Sequence, residues 1–98
     1  MTTPTQRSLA YWRSEGYTVA VVERWNPFAK VRQDLFGMCD LLAIGNGETV
    51  CVQTTSSGNV PARVRKLTEA DALPEMLRSG WRVVIEGWTG TKRREVEL

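Results

Sequence analysis

The chain has 98 residues, 13 of them basic, 11 acidic and none histidine, for a formal net charge of +2. That length suits one domain around one hydrophobic core. The missing histidine excludes Ser-His-Asp and Cys-His nucleophile systems and any histidine general base, and two cysteines are too few for a zinc-finger ligand set or a disulfide framework.

Carboxylates, amides, hydroxyls and basic side chains are therefore what remains for chemistry. Residues 1–6 (MTTPTQ) have neither the basic nor the apolar stretch of a secretory signal. The longest apolar runs fall far short of a membrane span. These features lead us to expect a cytoplasmic protein with reduced thiols.

Thr5 is placed to cap a first helix over residues 6–14, with Leu9, Tyr11 and Trp12 on its apolar face and Gly16 as its stop. Residues 17–23 (YTVAVVE) are rich in β-branched side chains and read as a strand. Residues 24–36 contain Asn26-Pro27 and mixed charge, which implies an ordered loop that buries Trp25, Phe28 and Phe36. Residues 38–44 (MCDLLAI) and 49–55 (TVCVQTT) read as two strands. They are joined by Gly45-Asn46-Gly47-Glu48, and Asn-Gly is favoured in a type I′ turn because both central positions need positive φ.

Residues 56–60 form a turn, and Pro61 suits the first turn of a second helix reaching residue 69. Pro74 opens a short helix through Arg78, ended by Gly80. Residues 81–88 (WRVVIEGW) make another strand and residues 94–98 (REVEL) a last one. The order is α-β-β-β-α-β with one added strand. The second and third strands are apolar on both faces, as expected of central strands covered by helices. The fold class is thus a small single-domain α/β protein with a central mixed sheet flanked by helices.

The turn fixes the hairpin register. If Gly45 pairs with Glu48, Leu42 faces Cys51, Asp40 faces Gln53 and Cys39 faces Thr54. Directly opposed side chains share a face, and Thr55 points the same way as Gln53. Asp40, Gln53 and Thr55 then form a polar cluster in an otherwise apolar hairpin. Cys39 and Cys51 fall on opposite faces, which argues against a disulfide. A Ser/Gly/Asn turn followed by a helix bearing Arg63, Arg65 and Lys66 can receive a phosphate. Arg63 and Lys66 are one turn apart and share a face. Trp12, Trp81 and Trp88 read as core, whereas Trp25, between Arg24 and Asn26, is the candidate for a base-stacking or partner contact.

This order of elements, with an Asp on the second strand and a polar-x-polar triplet on the third, resembles the PD-(D/E)XK nuclease superfamily. That group includes Holliday-junction resolvases, many restriction enzymes and VRR-NUC domains. The resemblance spans about residues 5–88 and extends to small phage and prophage proteins of this type. It implies a restriction-endonuclease-like core and a catalytic set of Asp40, Gln53 and Thr55. It also implies Mg²⁺ held by Asp40 and Gln53, and DNA lying along Arg32, Arg63 and Lys66. Gln53-Thr54-Thr55 departs from the family triplet, since Gln53 carries no charge and Thr55 supplies no cation. Gln6 stands near the position where many members carry a first-helix carboxylate. Asp34 or Glu23 can make up the missing negative charge, and Lys30 or Lys66 the missing ammonium.

Two functions follow from the resemblance. One is a metal-dependent DNA endonuclease or junction resolvase. The other is a catalytically inactive member acting as a DNA-binding or protein-binding phage accessory protein, with a host protein as the alternative partner. A homodimer burying a sheet edge, such as the last strand, is expected, and no membrane association.

Overall fold

In a computed structural model that describes residues 2–98, the chain opens with helix α1 (Pro4–Ser14). Its cap is Thr3, not Thr5. The Thr3 hydroxyl accepts from the Gln6 amide at 3.2 Å, and the Gln6 side chain accepts from the Thr3 amide at 2.9 Å. This capping box places Pro4 in the first turn, where its missing N–H costs nothing. Thr5 is thereby released to face the sheet, its hydroxyl 3.3 Å from that of Thr54.

Seven strands follow: β1 (Thr18–Val21), β2 (Arg24–Asn26), β3 (Val31–Gln33), β4 (Leu41–Gly45), β5 (Glu48–Ser56), β6 (Arg82–Thr89) and β7 (Lys92–Glu97). Five form one mixed sheet in the order β1-β4-β5-β6-β7, in which only β5 and β6 run parallel. A parallel pair needs a crossover. Here it is made by a 3₁₀ turn (Ser57–Asn59), helix α2 (Val60–Thr68) and helix α3 (Leu73–Arg78). No helix among the described residues is long and apolar enough to cross a membrane.

The expected β4–β5 register is the one observed, with Ile44 opposite Thr49 and Leu42 opposite Cys51. Asn46 (φ 51°) and Gly47 (φ 75°) adopt the positive φ angles of the expected tight turn. The sheet buries both faces. On one, Trp12 of α1 packs with Val19, Leu41, Ala43, Val50, Val52 and Val84. On the other, Val60 and Leu67 of α2 and Met76 of α3 pack with Cys51, Val83 and Ile85. Gly87 sets the spacing of this second layer. A Cβ there would lie 2.4 Å from Val60 Cγ2 and 2.9 Å from Ser57 Cα, so only glycine lets α2 start so close to β6.

Two expectations are corrected. Residues 24–36 do not form a loop over the core. They contain the β2–β3 hairpin, which stands outside the main sheet. Trp25 and Phe28 are exposed, at 54% and 97%, because no second layer covers this two-stranded element, and Phe36, in the turn that follows, is 64% exposed. Cys39 and Cys51 form a disulfide, with Cα atoms 5.3 Å apart. The ladder ends at Leu41–Val52, and beyond it a turn at Phe36 (φ 55°) and Gly37 (φ 69°) brings the Cys39 amide onto the Leu35 carbonyl. Cys39 has therefore left the alternation of the strand and reaches the face of Cys51, so the thiols are paired rather than reduced.

Candidate metal and phosphate site

Asp40 immediately precedes β4, and its amide donates to the Val52 carbonyl at 2.9 Å. Its side chain therefore lies on the same face as Gln53 of β5, as the register requires. Asp40 is 5% exposed and Gln53 is fully buried. The Asp40 carbonyl accepts from the Val22 amide at 2.9 Å and the Glu23 amide at 3.4 Å, which draws Glu23 to the same place. Asp34, just after β3, arrives from the other root of the β2–β3 hairpin. Carboxylate oxygens of Glu23, Asp34 and Asp40 all lie within 4.8 Å of one another.

Gln53 links these carboxylates to two cations. Its Nε2 donates to Asp40 Oδ2 at 2.8 Å and to Asp34 Oδ2 at 3.2 Å. Its Oε1 accepts from Arg63 at 3.3 Å and from Lys66 at 3.4 Å. The amide has only one chemically sensible orientation, since carboxylates can only accept and Arg and Lys can only donate. Gln53 was expected to lend its oxygen to a metal. Instead that oxygen faces the α2 cations, and the NH₂ group faces the acids.

Lys66 reaches further and pairs with Asp34 at 3.4 Å. Arg32 pairs with Glu23 at 3.7 Å but is largely exposed. Asp40 has no ion pair among the described residues. It accepts instead from Gln53 and from the Thr54 amide at 2.8 Å. An open recess lined by Arg32, Gln33, Asp34, Phe36, Gly37 and Lys66 borders the cluster.

Electrostatics separates the acids. Burial, a hydrogen bond to Asp34 and the negative charges of Asp34 and Glu23 push Asp40 up to about 7, against a weaker lowering by the Thr54 amide. Burial also works against ionised Asp34. Hydrogen bonds from Asp40 and Gln53, together with the Lys66 ammonium, outweigh it and hold Asp34 below the usual carboxylate range. Asp40, buried and without an ion pair of its own, thus holds its proton more tightly than Asp34 does.

Of the residues expected here, Asp40, Gln53, Arg63 and Lys66 converge, and Arg32 stands at the rim. Thr55 is buried two residues beyond Gln53 but takes no part in the hydrogen bonds joining Asp34, Asp40 and Gln53. Gln6 is occupied in the α1 capping box. Lys30 sits exposed in the hairpin turn at φ 55°. Glu23 and Asp34, named from sequence only as substitutes, are full members of the cluster. Among the two candidate lysines, Lys66 supplies the ammonium. No protein-family model matches this chain, and no curated protein or solved structure matches it.

Proposed function

We propose that this is a nucleic-acid-binding protein of the PD-(D/E)XK nuclease-like type, acting as a Mg²⁺-dependent phosphodiesterase on DNA. The observation that carries the reading is the convergence of Glu23, Asp34 and Asp40 beside the Lys66 ammonium, on the α2 side of the sheet. The order of core elements and the parallel β5–β6 pair support the same reading.

The residues fit a divalent cation. Three hard oxygen donors suit Mg²⁺, and the most buried of them, Asp40, lacks a countercharge. Asp34, Asp40 and Glu23 would hold the ion. Gln53 would not, since its oxygen is turned away. When bound, the ion would supply Lewis acidity and a water molecule activated for attack on phosphorus.

The protein's own groups do the rest. Gln53 locks the orientation of Asp40 and Asp34 through its two N–H donors. Lys66 places a point charge 3.4 Å from Asp34, where it can orient a nucleophile or bind a phosphate oxygen, the work of the triplet lysine that Thr55 cannot do. Arg63, on the same helix face, offers a planar fork to a neighbouring phosphate.

Purified protein is expected to cleave plasmid or branched DNA in Mg²⁺ or Mn²⁺ and to lose that activity in Asp40→Asn and Lys66→Met. Absence of cleavage across divalent metals and substrates would refute the enzymatic reading. The neutral Gln53 and Thr55 favour a second reading, a non-catalytic DNA-binding relative. It predicts salt-dependent binding without cleavage, because phosphate contacts release counterions. Binding that is absent or indifferent to salt removes both.

A further inference from the structure

We propose that the β2–β3 hairpin recognises unpaired bases, so that the ligand of this site is DNA with a single-stranded or forked segment rather than uniform duplex. The inference rests on the nucleic-acid reading above and names its substrate class.

The hairpin grows directly out of the acidic cluster. Glu23 precedes β2 and Asp34 follows β3, so two of the three carboxylates are its roots. The Arg32–Glu23 pair at 3.7 Å ties β3 to one of them. Between the roots, residues 24–33 (RWNPFAKVRQ) contain Arg24, Lys30 and Arg32 and no acidic residue. The strand register sets Trp25 directly opposite Arg32, which puts an aromatic ring and a guanidinium side by side on one face.

The tip is a built turn. Asn26 Oδ1 accepts from the Phe28 amide at 3.0 Å and the Ala29 amide at 3.2 Å. This turn holds Phe28 out at 97% exposure, where nothing among the described residues covers it. Here the surroundings are cationic, which complements phosphate, and aromatic side chains among cations stack on bases without regard to sequence. Apolar side chains also act as wedges at base steps. At about 3.3 Å per strand residue the tip stands about 13 Å from the roots, roughly four base-pair steps from the carboxylates.

The test is fluorescence anisotropy of the full chain in EDTA with three probes of equal length: a single strand, a blunt duplex and a forked duplex. The wild type is expected to bind fork and single strand about tenfold more tightly than duplex. Phe28→Ala should bring the three affinities to within about twofold, on the usual strength of base–aromatic stacking. Phe28→Trp should restore the preference, and Leu77→Ala, at an exposed apolar site on α3, should leave it unchanged. Phe28 is too exposed for its truncation to unfold the protein, which melting curves verify. Equal affinity of the wild type for all three probes, or a preference that survives Phe28→Ala, overturns the proposal. In that case duplex binding that still falls in Lys66→Ala leaves the nucleic-acid reading standing. Failure to bind any probe overturns both.

Discussion

Replacing Asp40 with Asn should stabilise the protein without metal and abolish its response to metal. The Asp40 carboxyl is raised from 3.8 to about 7. Its native form therefore holds a proton between about pH 4 and 7 that the unfolded chain has already lost. Where the native state binds more protons, stability falls as pH rises. The full shift corresponds to about 4 kcal/mol at pH 8. Asp34 shares the same proton and is shifted the opposite way, so the net penalty is smaller than this.

Asn reproduces the protonated acid. Its oxygen can still accept from Gln53 and the Thr54 amide, and its NH₂ can donate towards Asp34. The variant should therefore be more stable than wild type at pH 8 in EDTA, each 1 kcal/mol gained raising Tm by about 4–8 °C for a domain of this size. Mn²⁺ at a hundred times its dissociation constant would add about 2.7 kcal/mol to the wild type and little to the variant. Thermal melts at pH 5 and pH 8, with EDTA and with Mn²⁺, give the four values needed. The wild type should lose stability from pH 5 to 8 in EDTA and recover it with Mn²⁺, while the variant does neither. An Asp40→Asn protein that is less stable than wild type at pH 8 in EDTA, or that gains as much from Mn²⁺, would refute this electrostatic account.

Removing the disulfide with Cys39→Ser and Cys51→Ser should cost about 3 kcal/mol, the loop-closure value for this short separation; urea melts of the oxidised wild type and the double variant measure it. Gly87→Ala should lose about 1–3 kcal/mol through the clash with Val60 and Ser57. It should also weaken DNA binding, since it displaces the start of the helix that carries Arg63 and Lys66; denaturation and anisotropy on one preparation report both. Lys66→Met should lower the salt dependence of duplex binding by about one counterion, seen as a shallower slope of affinity against salt.

The main sheet was legible because each of its signals is local. Asn46-Gly47 sets one turn type, that turn sets the register, and the register puts Asp40 beside Gln53 without any knowledge of tertiary structure. The β2–β3 hairpin was not legible for the opposite reason. Arg-Trp-Asn and Val-Arg-Gln are too short and too charged to show alternation, and the burial of aromatics, a sound guide within a core, fails on an element that stands outside it. The disulfide was missed because the register was carried two residues beyond its end at Leu41–Val52. Phe36-Gly37 turns the chain where a strand would have continued.

The site was half legible for a related reason. Strand pairing supplied Asp40 and Gln53, while Glu23, Asp34 and Lys66 come from a loop, a hairpin root and a helix whose meeting no spacing rule records. What marks the cluster as the candidate site is a contrast within the sheet. Glu86 is fully buried on the α1 side, and both its oxygens are satisfied, one by Trp12 Nε1 at 2.9 Å and the other by the Arg93 guanidinium. That carboxylate is compensated inside the fold, so it needs no ligand. Asp40, 5% exposed on the opposite face, has two neutral donors and two neighbouring acids. Burying a carboxylate without a countercharge is expensive. Two nearly equivalent positions in one sheet thus solve the same problem differently. Among the described residues, only the Asp40 side leaves a buried carboxylate without an ion pair beside an open recess, and that is where a divalent cation would be stabilising.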